Sequence, residues 1–347
     1  AAIMAGTGVA AQHGILIKDV QALEVAHQVD TVAFDKTGTL TVGQPRLVAL
    51  ELAPGVDETT VLAAVAGVQG GSEHPLARAV VAAAQQRGVA AAAADSVQAV
   101  RAVPGRGTEG AVAGKAWRIG SLRWMQELGV PVLPAAAGEG AANAGPLAQR
   151  ALALQQEGYT VSAVAGPTPQ GLRVLALLAF GDEPKPGARE ALAALKARGI
   201  RTVMISGDNR GAAEAMARRL GLDPAAGEVM AEVLPGDKAA QIQLLQRGNA
   251  AKVKSGAGSA PQPCIVAMVG DGVNDAPALA AADVGMAMGN GTDVAMHAAG
   301  ITLMRGDPML VAAALDISHR TVSKIRQNLF WAFAYNVAGI PLAALGY

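Results

Sequence analysis

Short apolar runs stop at acidic or glycine-rich turns at three separated places in this chain. Residues 31–34 run into Asp35, residues 202–205 into Ser206-Gly207-Asp208, and residues 265–269 into Gly270-Asp271-Gly272-Val273-Asn274-Asp275. Between the runs, residues 187–198, 211–220 and 237–246 read as helices. Strands alternating with helices predict an α/β fold built on a doubly wound parallel sheet. Ligands of such sheets gather at the carboxyl ends of the strands. The three turns, distant in sequence, are therefore expected to meet at one place.

A different pattern interrupts the first. A helical stretch begins at His74, and residues 97–103, 111–119, 160–165 and 172–180 are short β-like runs. This predicts a second, α+β domain over residues 45–181, inserted into a first made of 18–44 and 182–326. The crossings fall near Gln44-Pro45 and residues 182–186, where prolines stiffen the hinge. Residues 133–146 and 248–263 are small-residue loops without an assigned function, and no internal repeat is evident.

The ends are more apolar. No charged residue follows Arg326, and the mostly apolar residues 329–347 are within the length needed to cross a hydrocarbon layer of ~30 Å. Residues 1–17 carry no formal charge. The expectation is the end of a membrane helix over 1–17 and the start of the next over 327–347. Lys18, Arg320, Lys324 and Arg326 flank these ends, which places the middle of the chain on the cytoplasmic side. The chain opens on Ala1 and lacks a signal-peptide layout, so it reads as a piece of a larger membrane protein.

Composition narrows the classes further. Lys+Arg and Asp+Glu both number 28, and this balance gives no basis for a nucleic-acid partner. The single cysteine, Cys264, rules out a disulfide framework and fits a reducing compartment. Hydrophobic residues make up 51%, much of it alanine, so composition alone does not imply a membrane.

The chemistry is concentrated in Asp35-Lys36-Thr37-Gly38-Thr39-Leu40-Thr41. A carboxylate leaving a buried strand into a turn with flanking hydroxyls suits nucleophilic attack on phosphorus. Phosphoryl transfer also needs a divalent cation and fixed donors around the moving oxygens. Asp271 and Asp275 are hard oxygen ligands suited to Mg²⁺. Asn274, Thr37 and Ser206 supply polar groups for the phosphoryl oxygens. Lys238, in Pro235-Gly236-Asp237-Lys238, adds positive charge at a helix start, although a lysine there taken alone is as readily a solvated one.

These turns, in this order, resemble the haloacid dehalogenase-like core of P-type ATPases, the ion pumps that pass through a phosphoenzyme. The resemblance implies that ATP phosphorylates Asp35, within a motif that includes Lys36. It implies Mg²⁺ held by Asp35, the Thr37 carbonyl and Asp271, with Asp275 either a further Mg²⁺ residue or an orienter of its loop. Lys238 and Ser206, the latter beside Asp208, would steady the phosphoryl group. Related phosphatases carry an Asp as acid and base two positions after the nucleophile, where this chain has Thr37. General acid–base help is worth ~10²–10⁴-fold, so the aspartyl phosphate is expected to persist. The family's Thr-Gly-Glu actuator motif is absent from these residues.

Ser72-Glu73-His74-Pro75-Leu76-Ala77 and Pro104-Gly105-Arg106-Gly107-Thr108-Glu109-Gly110 together resemble the nucleotide-binding domain of heavy-metal (type IB) pumps. That resemblance implies imidazole contact with adenine from His74, an acceptor for its amine in Glu73, and close approach past Gly105 and Gly107. His74 alone would read as a surface histidine. Ser121 stands where the family often has Asn, and Trp117 and Trp124 read as core residues. Near the end, Tyr335-Asn336 resembles the ion-binding pair of the copper(I) subgroup, although Asn336 would also serve helix–helix hydrogen bonding. The expectation is the ATP-binding and phosphorylation unit of a copper(I) exporter in the bacterial plasma membrane, with silver(I) an undistinguished cargo. Its expected partners are a copper chaperone and its own actuator and membrane domains. A zinc or cadmium pump, a soluble phosphatase of this fold and a non-enzymatic nucleotide sensor are the rivals.

Overall fold

The computed structural model describes residues 2–132, 146–248, 263–270, 275–289 and 298–346. Asp271 and Asn274 lie outside these residues, as does most of the two small-residue loops. The chain divides into two compact units, Ala1–Val42 with Pro184–Tyr347, and Gly43–Glu183.

The first unit opens with α1 (Ala2–Gln12), β1 (Ile15–Ile17), α2 (Val20–Gln28) and β2 (Thr31–Asp35). The second contains β3 (Arg46–Leu52), α3 (Glu58–Gln69), α4 (Pro75–Gln86), β4 (Val97–Val103), β5 (Gly107–Val112) and β6 (Lys115–Ser121). It continues with α5 (Leu122–Glu127), α6 (Pro146–Gln156), β7 (Thr160–Thr168) and β8 (Gly171–Gly181). The first unit then resumes with α7 (Ala188–Ala197), β9 (Arg201–Ile205), α8 (Arg210–Arg219), β10 (Val229–Met230) and α9 (Lys238–Gln246). It ends with β11 (Val266–Gly270), α10 (Ala276–Ala281), β12 (Val284–Met288), β13 (Ile301–Leu303) and α11 (Met309–Ala344).

The first unit is a seven-stranded sheet in the order β1-β13-β12-β11-β2-β9-β10, parallel except at the β1 edge. Successive residues of its central strands face opposite sides. Val32, Phe34, Met204, Ala267 and Val269 join a core with α2, α7, α8 and α11, while Ala33, Val203, Ile205, Val266 and Met268 join a core with α9 and α10. Strands buried on both faces read as continuous apolar runs, which is why the sequence showed them.

The second unit is a six-stranded antiparallel sheet in the order β3-β8-β7-β6-β5-β4. One face packs on α3 and α4 and the other on α5 and α6. The single run expected over 111–119 is in fact the hairpin β5–β6. Ala113 and Gly114 both adopt positive φ (52° and 79°) and reverse the chain between Val112 and Lys115. Two consecutive left-handed residues make the tight turn that matches strand twist.

Among the described residues no helix is long and apolar enough to cross a membrane. Residues 327–344 do not start a new helix; they continue α11, which begins at Met309. Asn336, Gly339 and Pro341 lie within this helix without ending it. At the other end, α1 spans only Ala2–Gln12 and packs on α11, where a side chain at Gly6 would collide with Thr321.

Candidate active site

Asp35 is the last residue of β2, with Ile205 beside it on β9, while on the other side Phe34 lies against Val269 of β11. Parallel registry thus sets the carboxyl ends of these three strands side by side. After Asp35 the chain makes a tight turn through Lys36–Leu40. Gly38 takes φ 75°, a conformation that favours glycine. The turn is closed by Thr41, whose backbone N–H and side-chain hydroxyl both donate to the Lys36 carbonyl at 3.1 Å. Thr37 is exposed at the tip, while Thr39 is fully buried and its Oγ1 has no partner among the described residues.

Four further side chains, Lys238, Asp275, Asp208 and Ser206, surround this turn. Lys238, at the first residue of α9, donates to Oδ1 of Asp35 and to Oδ1 of Asp275, each at 2.8 Å. Asp275, just before α10, is almost fully buried, and Asp35 is nearly so. Gly270 gives Asp275 its space, because a Cβ there would lie 2.7 Å from Asp275 Oδ2. Burial works against the charge on Lys238, but attraction and hydrogen bonds from Asp35 and Asp275 outweigh it and raise its pKa above the ordinary lysine value. Beside them Lys36 pairs with Asp208 at 2.8 Å. Ser206 is buried, and its Oγ accepts from the Asp208 N–H at 3.0 Å.

Around Lys238, then, two carboxylates face one ammonium. The excess negative charge and hard oxygen donors fit Mg²⁺, which needs only one or two carboxylates and keeps several waters. Asp35 and Asp275 are the described residues that would hold it.

The second unit carries its own concavity, a cavity of about 420 Å³. His74 caps α4, its Nδ1 accepting from the Leu76 N–H at 3.2 Å. In the neutral ring that leaves Nε2 as the N–H donor. Gly105, with φ 71°, sits at the rim with open space where a side chain would be. Gly107 serves a different end: its missing Cβ would run into the Ile119 carbonyl and the Gly120 Cα across the β5–β6 pair. Ser121 lines the cavity and caps α5, accepting from the Trp124 N–H at 3.1 Å. Trp117 and Trp124 are buried in the cores.

Glu73 is exposed and is not part of the cavity wall, whereas Gln69, at the end of α3, is. Gln69 is buried, and its Oε1 has no hydrogen-bond partner among the described residues. A buried amide oxygen left unpaired is costly, so its place beside a cavity points to a ligand donor. The sequence reading missed Gln69 because nothing in a helix-end glutamine signals burial. Tyr335 and Asn336 lie together on the exposed end of α11.

The haloacid dehalogenase-like hydrolase family profile matches residues 29–283. The chain is 41% identical over 344 residues to a copper-exporting P-type ATPase of Staphylococcus haemolyticus, covering 99% of this chain and 38% of that protein. It is 44% identical over 345 residues to a silver exporting P-type ATPase of Salmonella typhimurium, covering 99% of this chain and 37% of that protein. A solved zinc-transporting PIB-type ATPase in its E2.Pi state matches with a TM-score of 0.80 at 35% identity, over 99% of this chain and 50% of that one. The chain spans about two fifths of the length of the two curated relatives.

Proposed function

The chain belongs to the haloacid dehalogenase-like hydrolase family, and we propose that within it the chain is the ATP-binding and phosphorylation part of a heavy-metal P-type pump. The observation that carries this reading is the buried Asp35 carboxylate, held by Lys238 at a strand end with Thr37 in place of an acid–base residue. Asp35 attacks the γ-phosphorus of ATP, its oxygen forms the new P–O bond, and ADP leaves with the electrons of the broken bond. Lys238 stays beside the phosphoryl oxygens and offsets their charge, with Ser206 as a further donor. Asn274 is assigned the same role. Lys36, tied to Asp208, keeps the turn in place so that Asp35 points out of the sheet. Asp35, Asp275, the Thr37 carbonyl and Asp271 would hold Mg²⁺, which would supply charge neutralisation for the transferring group. The Thr37 hydroxyl is too weak an acid and base to relay a proton as a carboxyl does, so the phosphoenzyme outlives the transfer.

In the second unit His74 and Gln69 meet the purine. The His74 Nε2–H donates to a ring nitrogen, and Gln69 Oε1 accepts from the exocyclic amine. Gln69 takes the role that the sequence assigned to Glu73, because only Gln69 reaches the cavity. Gly105 leaves the rim open for the phosphates.

The cargo we assign is copper(I), with silver(I) as a second ion. The copper- and silver-exporting relatives support that choice, as does the Tyr335-Asn336 pair. The membrane path, the actuator that drives hydrolysis and the docking of a copper chaperone fall to the larger part of such a pump. The whole protein would sit in a bacterial plasma membrane with these two units in the cytoplasm.

The test is brief incubation with Mg²⁺ and γ-labelled ATP, followed by acid quench and hydroxylamine. Acid-stable, hydroxylamine-sensitive label is expected on the parent and none on Asp35→Asn, which still binds ATP. Label on Asp35→Asn, or rapid phosphate release without label from the parent, would overturn the reading.

A further inference from the structure

Two of the chain's five histidines meet within the first unit, and neither belongs to the strand-end cluster. His27 lies in the last turn of α2 and His319 in the middle of α11. Their Nδ1 atoms are 3.0 Å apart, their ring centroids 4.9 Å apart, and the rings are tilted by 41°. His319 is exposed and His27 half-buried, so water and ions reach the pair.

We infer that His27 and His319 form a two-imidazole site for a divalent transition cation of the Zn²⁺, Ni²⁺ or Cu²⁺ class, bridging α2 and α11. The spacing is the first argument. At metal–nitrogen bonds of about 2.0–2.1 Å, a separation of 3.0 Å corresponds to a ligand–metal–ligand angle of about 94°. That is the bite of two adjacent ligands on a square-planar or octahedral cation. A linear two-coordinate ion would hold the nitrogens ~4 Å apart, so the spacing disfavours copper(I), whose preferred donors are also soft sulfurs.

The surroundings are the second argument. The nearest acidic candidate on α11, Asp316, is engaged by Arg320 at 3.2 Å. No third histidine, cysteine or carboxylate completes the cluster among the described residues, so waters fill the remaining positions. Two protein ligands give a weak, exchangeable site rather than a structural one. It is distinct from the phosphoryl-transfer chemistry and does not depend on that reading. Because α2 ends just before β2, the strand of Asp35, an ion here ties that strand's lead-in to the C-terminal helix.

The test is Zn²⁺ and Ni²⁺ binding to the tag-free chain, with saturating Mg²⁺ to occupy the carboxylate cluster. One equivalent of either ion is expected, with a rise in melting temperature. His27→Ala and His319→Ala should each weaken binding at least tenfold and remove the rise, while His74→Ala leaves both unchanged. Cu²⁺ bound to the parent should show electron paramagnetic resonance coupling to two nitrogens. If His27→Ala melts abnormally without metal, His319→Gln, at an exposed position, decides. Equal binding by parent and both pair variants, or no binding by the parent, overturns the site and leaves an imidazole–imidazole hydrogen bond.

Discussion

Around Asp35 the balance of charge leans on one side chain, because Lys238 sits 2.8 Å from both Asp35 and Asp275. Removing it withdraws a shared cation from two nearly buried carboxylates, a strongly unfavourable change. Lys238→Met should therefore lower phosphoenzyme formation by roughly a hundredfold or more, while nucleotide titrations of the second unit stay as in the parent. The same residue sets a pH signature. Its folded pKa lies above the ordinary lysine value of about 10.5, so its contribution to stability is complete below about that pH and is lost as pH rises through the folded value. Denaturant melts of the parent should fall more steeply above pH ~10.5 than those of Lys238→Met. Parallel curves would mean that the ammonium is not coupled to folding.

At the scale of elements, β5 and β6 show how glycine carries packing rather than ligand access. Gly107 and Gly120 face each other across the pair; a Cβ on Gly107 would strike the Ile119–Gly120 backbone, and one on Gly120 would strike the Arg106 carbonyl. Gly120 also lies under the Trp124 ring, so this corner joins the sheet to α5. Gly107→Ala should destabilise the second unit by roughly 2 kcal/mol or more, because the strands must part to admit a methyl group. Gly105→Ala meets no neighbour and should cost about 1 kcal/mol for its left-handed φ alone. Melting of the two variants side by side checks the order; equal losses would show that strand contact at Gly107 is not the constraint.

For the molecule as a whole, the inserted unit has the marks of an independent domain. Its first and last strands pair, with Arg46 beside Gly181, and its chain ends are tied by the Gly43 N–H to Asp182 and by Arg46 to Glu183. Its two cores are its own. Residues 43–183 expressed alone should fold cooperatively and bind ATP within about threefold of the affinity of the whole chain. In that piece Gln69→Leu should weaken ATP about tenfold, near 1.4 kcal/mol, without loss of stability, since it removes an unpaired buried oxygen. A molten circular dichroism signature or absent binding would show that the unit needs the rest of the chain.

By itself the sequence determined the fold class and the expectation that three turns would meet. Strands such as 31–34 are buried on both faces and parallel, so they appear as apolar runs, and topology then forces their carboxyl ends together. It did not show β1, β10 or β13, each two or three residues long, because such short strands exist only through their neighbours. Nor did it show the hairpin at Ala113-Gly114, since an alanine in the left-handed region goes against its own preference and is held there by strand pairing. The apolar tail read as the start of a separate membrane helix because hydropathy does not show where a helix begins, whereas in the structure residues 327–344 continue the helix that starts at Met309. Only tertiary structure decided which polar groups matter at close range. Gln69 is buried by the turn from α3 to α4, and the His27–His319 contact joins residues almost three hundred positions apart. Burial and long-range contact depend on how elements pack, and no local spacing of residue types encodes them.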